Sequence, residues 1–228
     1  MISPVKPALR SPILAIDTAY PPLSVALLMV DGRIDERLSS ARAGAILHDL
    51  VRDILASAGL EVADLGGLAV LRGPGSFTGL RVGLASASGL ALATGLPVLG
   101  IETTRALALA SGRLGRVAVL VEAGKGRVFV GLHEVSMNSA APLLPEPLDS
   151  TIDEALLLIA GADAAILRGA PPEASRLLAA GCVPLEGGAA GAAARLALGA
   201  ASDPDSLQAL YARQPAVSPP AIRAPGAR

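Results

Sequence analysis

The stretch Leu71-Arg72-Gly73-Pro74-Gly75-Ser76-Phe77-Thr78-Gly79-Leu80-Arg81-Val82-Gly83 decides how the rest of the chain is read. The apolar run Leu68 to Leu71 reads as the end of a strand. A turn with Gly73, Gly75 and Gly79 follows, and then an Ala-, Gly- and Leu-rich segment to Gly95 with the composition of a helix. Strand, glycine turn and helix start is the arrangement that points free backbone N–H groups at an anion. It is not a P-loop, because no Gly-Lys-Ser/Thr follows. Nor is it the dinucleotide fingerprint, since three residues rather than two separate Gly75 from Gly79. The pattern leaves a phosphate cradle and a purely structural turn both open.

The helix after the turn carries a second signal. Positions four apart are Gly75, Gly79, Gly83, Ala87, Ala91 and Gly95, all small. The row beside it is Leu80, Leu84, Ser88, Leu92 and Leu96. Residues at i and i+4 share a helix face, so one face is nearly free of side chains and another backbone can approach it closely. Glycine inside a helix costs about 1 kcal/mol against alanine, so close packing is expected to offset that cost. The partner in that packing is either the chain's own sheet or another chain.

The order of elements works outward from this stretch. Ile13 to Ile16 is a strand ending in Asp17-Thr18, Ser24 to Val30 a second, and Arg33 to Ser39 a third after the Asp31-Gly32 hairpin turn. Ile46, Leu47, Leu50, Val51, Ile54 and Leu55 at helical spacing predict a helix over Ala43 to Ala58, stopped by Gly59. Pro97 to Ile101 is another strand, and Thr103-Thr104 precede a helix from Arg105 to Ser111. Three strands, helix, strand, helix, strand, helix is an antiparallel meander feeding a parallel sheet, an α/β domain. The second half is a weaker echo. It has strands at Val117–Glu122, Arg127–Val135 and Ala164–Arg168, and a Pro-rich excursion at Met137–Thr151. Helices are predicted over Ile152–Ala160, Pro172–Ala180 and Ala189–Gly199, with a short turn at Leu207–Leu210. The expected organisation is a loose arm over residues 1–12, one subdomain over 13–105, a degenerate second over 106–213 with its final segment able to pack back on the first, and a disordered Pro-rich tail over 214–228.

Composition narrows the function classes. Of the 228 residues 52% are hydrophobic but only 2% aromatic, so the core is built from Leu, Val, Ile and Ala. Net charge is -1, which supplies no basic field for nucleic acid, and so few aromatics argue against a base-stacking platform. The lone Cys182 excludes an internal disulfide and fits a reducing, cytoplasmic setting. Val82 to Ile101 is uncharged, but its Ser, Gly and Pro97 argue against a membrane span. His48 and His133 have no second His or Cys at ligand spacing, so no metal site is expected. No G-x-S-x-G elbow surrounds Ser76, because Pro74 stands two residues before it.

The segments ILAIDTAYPPLSVALL and GLAVLRGPGSFTGLRVGLASASGLALATGLPVLGIETTRALA strongly resemble the TsaB (YeaZ) family, with GPGSFTGLR-x-G the specific motif. The resemblance covers residues 13–110 and continues thinly to Tyr211-Ala212-Arg213-Gln214-Pro215. It implies an actin/Hsp70/sugar-kinase-like fold with two related subdomains. In such folds an acidic residue at the corner held by Asp17 handles metal-bound phosphate; the alternative is that Asp17 caps its own turn.

The resemblance further implies a non-catalytic scaffold that works in making N6-threonylcarbamoyladenosine at position 37 of tRNAs reading ANN codons. Such a chain partners TsaD, the catalytic paralogue carrying a metal-binding His-x-x-x-His motif, together with the ATPase TsaE. It forms a homodimer when TsaD is absent and meets tRNA only through the complex. ATP and metal are then expected on the partner subunits, and no cofactor on this chain alone. The expected motif residues are Asp17, Thr18, Gly73, Pro74, Gly75, Ser76, Phe77, Thr78, Gly79 and Arg81. The expected partner interface is Leu47, Leu50, Val51, Ile54, Gly79, Gly83, Ala87 and Ala91, with no catalytic residue. Two departures stand out. The family's His-Ser-Glu at the start of the first helix is Ala43-Gly44-Ala45 here. Its Asp-Ala-Arg-x-Gly-x-Val-Tyr is Glu122-Ala123-Gly124-Lys125-Gly126-Arg127-Val128-Phe129. The rival readings are a nucleotide-dependent kinase-like or peptidase-like enzyme using Asp17 and Ser76, and a self-associating structural protein.

Overall fold

The computed structural model describes residues 6–210. Strands β1 (Ile13–Asp17), β2 (Leu23–Leu28) and β3 (Ile34–Ser39) form an antiparallel meander. Helix α1 (Ala43–Ala58) ends at Gly59, which is left-handed at φ 67°. Strand β4 (Gly67–Leu71) then pairs parallel with β1, helix α2 (Phe77–Thr94) follows, and β5 (Val98–Ile101) pairs parallel with β4. Helix α3 (Thr103–Ala110) leads to the second lobe. The first sheet is ordered β3-β2-β1-β4-β5.

The second lobe repeats this plan. Its elements are β6 (Gly115–Gly124), β7 (Arg127–Ser136), β8 (Ser139–Pro142), β9 (Leu148–Thr151), α4 (Ile152–Ile159), β10 (Ala164–Arg168), α5 (Ala174–Ala179), β11 (Cys182–Pro184) and α6 (Ala190–Ala197). The sheet order is β11-β10-β6-β7-β8, with β9 also pairing β7. As in the first lobe, the three strands that come first in the chain, β6, β7 and β8, pair antiparallel, and β10 and β11 extend the sheet in parallel.

Helices α1 and α2 cover the outer face of the first sheet, α3 and α6 lie between the sheets, and α4 and α5 cover the far face of the second. Strand periodicity sorts the cores. Val117, Val119 and Val121 of β6 join the core shared with the first lobe, while Ala118 and Leu120 join a core with Ile152, Ile159 and Leu177. Because β1 and β2 are covered on both faces, all their residues are buried, which is why they read as continuous apolar runs.

Three expectations change. Residues 6–12 are not loose: Leu9 is fully buried, and its N–H donates to the Ala200 carbonyl at 2.9 Å. The Pro-rich excursion holds the two short strands β8 and β9. Strand β11 was not expected, since three residues ending in Pro184 carry too little period to read. Helix α6, in the final part of the second subdomain, packs back on β1, β2 and β4 of the first sheet. The segment beyond it follows: Ser202 Oγ accepts the Val98 N–H at 3.0 Å and Ser206 Oγ that of Gly100 at 2.7 Å. The expected Tyr211–Pro215 motif and the tail lie outside the described residues.

Candidate functional site

The glycine turn is shaped by what lies against it. A methyl group on Gly75 would sit 2.5 Å from the Ala19 carbonyl oxygen, on Gly79 2.1 Å from that of Thr18, and on Gly83 2.2 Å from Thr18 Oγ1. Gly73, at φ 118°, would meet the Leu210 carbonyl oxygen at 2.5 Å. These glycines exist because α2 and its turn lie directly on the Asp17–Ala19 backbone. Their neighbouring donors are spent on the chain itself. Ser76 N–H donates to Ala19 O at 2.6 Å, Gly73 N–H to Thr103 Oγ1 at 3.2 Å, and Gly79 N–H to Ser76 Oγ at 3.2 Å. Ser76 is thus the N-cap of α2. Thr18 Oγ1 donates to the Gly79 carbonyl at 2.8 Å, and Pro74 is buried in the turn. Of the motif residues, Ser76, Phe77, Thr78 and Arg81 are exposed, and the Arg81 guanidinium stacks 3.9 Å from the centre of the Phe77 ring.

Asp17 ends β1 in a buried corner and accepts the Ala19 N–H at 2.9 Å. Burial pushes its carboxyl up from 3.8 to about 6, against the pull of that hydrogen bond, of Arg168 and of the Ala189 N–H. The Ala190 N–H, at the start of α6, donates to Ser24 Oγ and Glu36 Oε1, both at 3.2 Å. The N-terminal amides of α6 are therefore met by the chain's own acceptors.

The two lobes meet beside this corner. Tyr20 Oη donates to Glu122 Oε2 at 2.6 Å, and the Ala170 N–H donates to the same oxygen at 3.0 Å. Arg168, at the end of β10, is buried; its Nη1 donates to the carbonyls of Leu185 (2.7 Å) and Gly187 (2.6 Å), and its Nη2 to that of Pro22 (3.2 Å). A cavity of about 470 Å³ opens where α1 and α2 begin, lined by Thr18, Tyr20, Arg42, Thr78 and Val82 among others. A second, of about 570 Å³, also borders Tyr20 and Pro21 and lies against Arg168, Leu178 and Leu185. Sequence reasoning missed Tyr20, Ser24, Glu36 and Arg168 as members of this corner. The available signal was a charged residue closing the buried run AAILR before Gly169.

The expected interface residues divide. Leu47, Ile54, Gly83 and Ala87 are buried in the chain's own core, and Gly79 lies on Thr18, so none of these presents a free surface. The reason is that the small i, i+4 row of α2 faces β1. Leu50, Val51 and Ala91 are half-buried against the same core. The outward face of α2 is Ala85, Gly89, Leu92 and Ala93, with Leu92 90% exposed and nothing within 4 Å of a methyl placed on Gly89.

A family model described as "TsaD: tRNA N6-adenosine threonylcarbamoyltransferase" matches residues 37–175. Over 131 residues the chain is 41% identical to the tRNA threonylcarbamoyladenosine biosynthesis protein TsaB of Escherichia coli K12, covering 55% of this chain and 56% of that one. An uncharacterized Mycobacterium tuberculosis protein is 34% identical over 93% of this chain and 96% of its own length. A crystal structure from Pseudomonas aeruginosa, described as an uncharacterized protein with similarity to peptidase YEAZ, superposes with a TM-score of 0.73. It is 25% identical and covers 88% of this chain and 99% of that one. The chain belongs to the TsaB/YeaZ family.

Its α/β, two-lobed architecture is the actin/Hsp70/sugar-kinase-like fold expected of TsaB-like chains. The matched region spans little more than half of the E. coli and Bacillus subtilis TsaB proteins, 56% and 60%. Both family departures have a place. Ala43 and Gly44 line the cavity at the start of α1. Glu122 holds Tyr20, and Phe129 is buried on β7.

His133, also on β7, is buried with Nε2 2.9 Å from Thr104 Oγ1, and burial pushes it down to about 4. Among the described residues no group of three or more His, Cys, Asp and Glu side chains is placed to hold a metal ion, and no helix is long and apolar enough to cross a membrane.

Proposed function

We propose that this chain is a non-catalytic subunit of the cytoplasmic apparatus that transfers a threonylcarbamoyl group to N6 of adenosine 37 in tRNAs reading ANN codons. It holds TsaD, the transferase, in its active arrangement, with TsaE as the third component, and pairs with a second copy of itself when TsaD is absent. ATP and metal act on the partner subunits, and tRNA is met only in the complex. The names of the TsaB and TsaD relatives support the pathway. The observation that carries the scaffold role is the outward face of α2. A fully solvated Leu92 beside Ala85, Gly89 and Ala93 is a surface that helix-on-helix packing would bury. The absence of chemistry on this chain is supported by the corner itself. A phosphate there would face Asp17, Glu36 and Glu122, and the nearby amides of Ser76, Gly79 and Ala190 already have partners.

Reconstitution tests this reading. Purified TsaD, TsaE, ATP, threonylcarbamoyl donor and unmodified tRNA are incubated with and without this chain, and the modified nucleoside is counted by mass spectrometry. Product should form only when TsaD and this chain are both present. Leu92→Asp should weaken TsaD binding by roughly tenfold or more. Product from this chain without TsaD, or full activity without this chain, overturns the proposal.

A further inference from the structure

Tyr20 and its neighbour Pro21 line both cavities at the lobe junction. One contains the starts of α1 and α2, and the other the end of β10 and the buried Arg168. The ring is only partly buried, and its hydroxyl reaches 102 residues along the chain to Glu122. Glu122 Oε2 serves two donors at once: Tyr20 Oη from the first lobe at 2.6 Å and the Ala170 N–H from β10's end at 3.0 Å. Gly169 leaves room for this arrangement, since a methyl there would sit 2.6 Å from Tyr20 Oη and 2.8 Å from Glu122 Cβ. A hydroxyl bonded to a carboxylate is among the stronger hydrogen bonds, and burial together with that bond pushes the phenol up to about 12.

We propose that Tyr20 is a gate between the lobes and Glu122 its catch. With the bond made, the ring stands beside Pro21 between the cavities. With it broken, the ring is free to leave, the cavities become one groove along the lobe junction, and the Arg168 guanidinium, 6.0 Å from the ring centre, loses its cover. Arg168 Nε has no hydrogen-bond partner in the closed arrangement, so an opened groove offers an unspent donor on its floor. The length of Glu122 is part of the device. Aspartate at this position keeps the charge but is one methylene shorter and falls short of the hydroxyl.

The test is amide hydrogen exchange on the full chain, comparing wild type with Tyr20→Phe, Glu122→Asp and Glu122→Gln. Losing one hydrogen bond of this kind raises local opening by roughly fivefold to tenfold. The Ala170 amide should exchange faster by that factor in Tyr20→Phe and in Glu122→Asp. The amides of Ala15 and Val119, at the centres of the two sheets, should keep their rates. Glu122→Gln retains an acceptor of the same length and should stay within about twofold of wild type. An unchanged Ala170 rate in both Tyr20→Phe and Glu122→Asp overturns the gate. So does an increase shared by Ala15 and Val119, because that marks an ordinary stability contact. If Tyr20→Phe does not fold, the Glu122→Asp and Glu122→Gln pair decides alone.

Discussion

The two faces of α2 are made of the same kinds of residue and do opposite things. Toward β1, Gly79 and Gly83 are small because a methyl would strike Thr18 at 2.1 and 2.2 Å, and Ala87 is fully buried. Away from the sheet, Gly89 has open space around it and Leu92 stands in solvent. Smallness on the inner face is a steric requirement of the chain's own fold. Smallness on the outer face meets no such requirement among the described residues. A row of small residues in a sequence therefore shows that a close approach is possible, but not to what.

The sharpest way to separate the faces is a bulky residue on the inner one. Gly83→Leu has to displace Thr18 and Ile16, and is expected to cost at least about 3 kcal/mol. At this chain length that is a fall of about 10 °C in melting temperature, read by calorimetry. An unchanged melting temperature would place this row on the surface after all.

The corner that the inner face covers has its own signature. Asp17 is held at about 6 when folded against an ordinary 3.8, so between those values the folded state binds the extra proton. Its contribution to stability is therefore lost as pH rises from about 4 to 6. Asp17→Asn removes the buried charge and keeps an oxygen for the Ala19 N–H. The variant should be more stable than wild type at pH 7.5, by up to about 3 kcal/mol, and indistinguishable from it near pH 4. His133, pushed the other way, titrates in an overlapping range, but it is common to both proteins and cancels in the difference. Parallel melts at pH 4 and 7.5 check this, and equal stability at both pH values would show that Asp17 carries no burial cost.

The mildest change is Gly89→Ala on the outer face. With nothing nearby to strike, the helix gains up to about 1 kcal/mol, or a few degrees in melting temperature. Destabilisation would mean that Gly89 is confined within the chain.

Much of this was legible in the sequence, for physical reasons that also mark its limit. Strands and helices of the first lobe stand where the period-two and period-3.6 patterns put them, because each long element buries a continuous face. The bounds of α1 were readable because Ile46, Leu47, Leu50, Ile54 and Leu55 repeat along it and Gly59 ends it. The same pattern could not say that Leu47 and Ile54 are covered by β2 and its neighbours rather than by a partner. Strand β11 was too short to carry a pattern, and α5 shrinks to Ala174–Ala179. At the lobe junction, Asp17 was readable as a corner residue. Arg168, Glu36 and Ser24 were not, since residues so far apart in the chain leave no local signal.

Helix α6 has a consequence for how the molecule comes into being. A ribosome releases β1, β2 and β4 early, yet the alanines that cover their inner face follow more than a hundred residues later. The bond from the Ala190 N–H to Ser24, for example, closes a gap of 166 residues. Until then an emerging chain exposes a broad apolar sheet with no partner of its own. The second sheet and its outer helices α4 and α5, by contrast, are all made before α6. The lobe that is synthesised first is thus the lobe that is finished last.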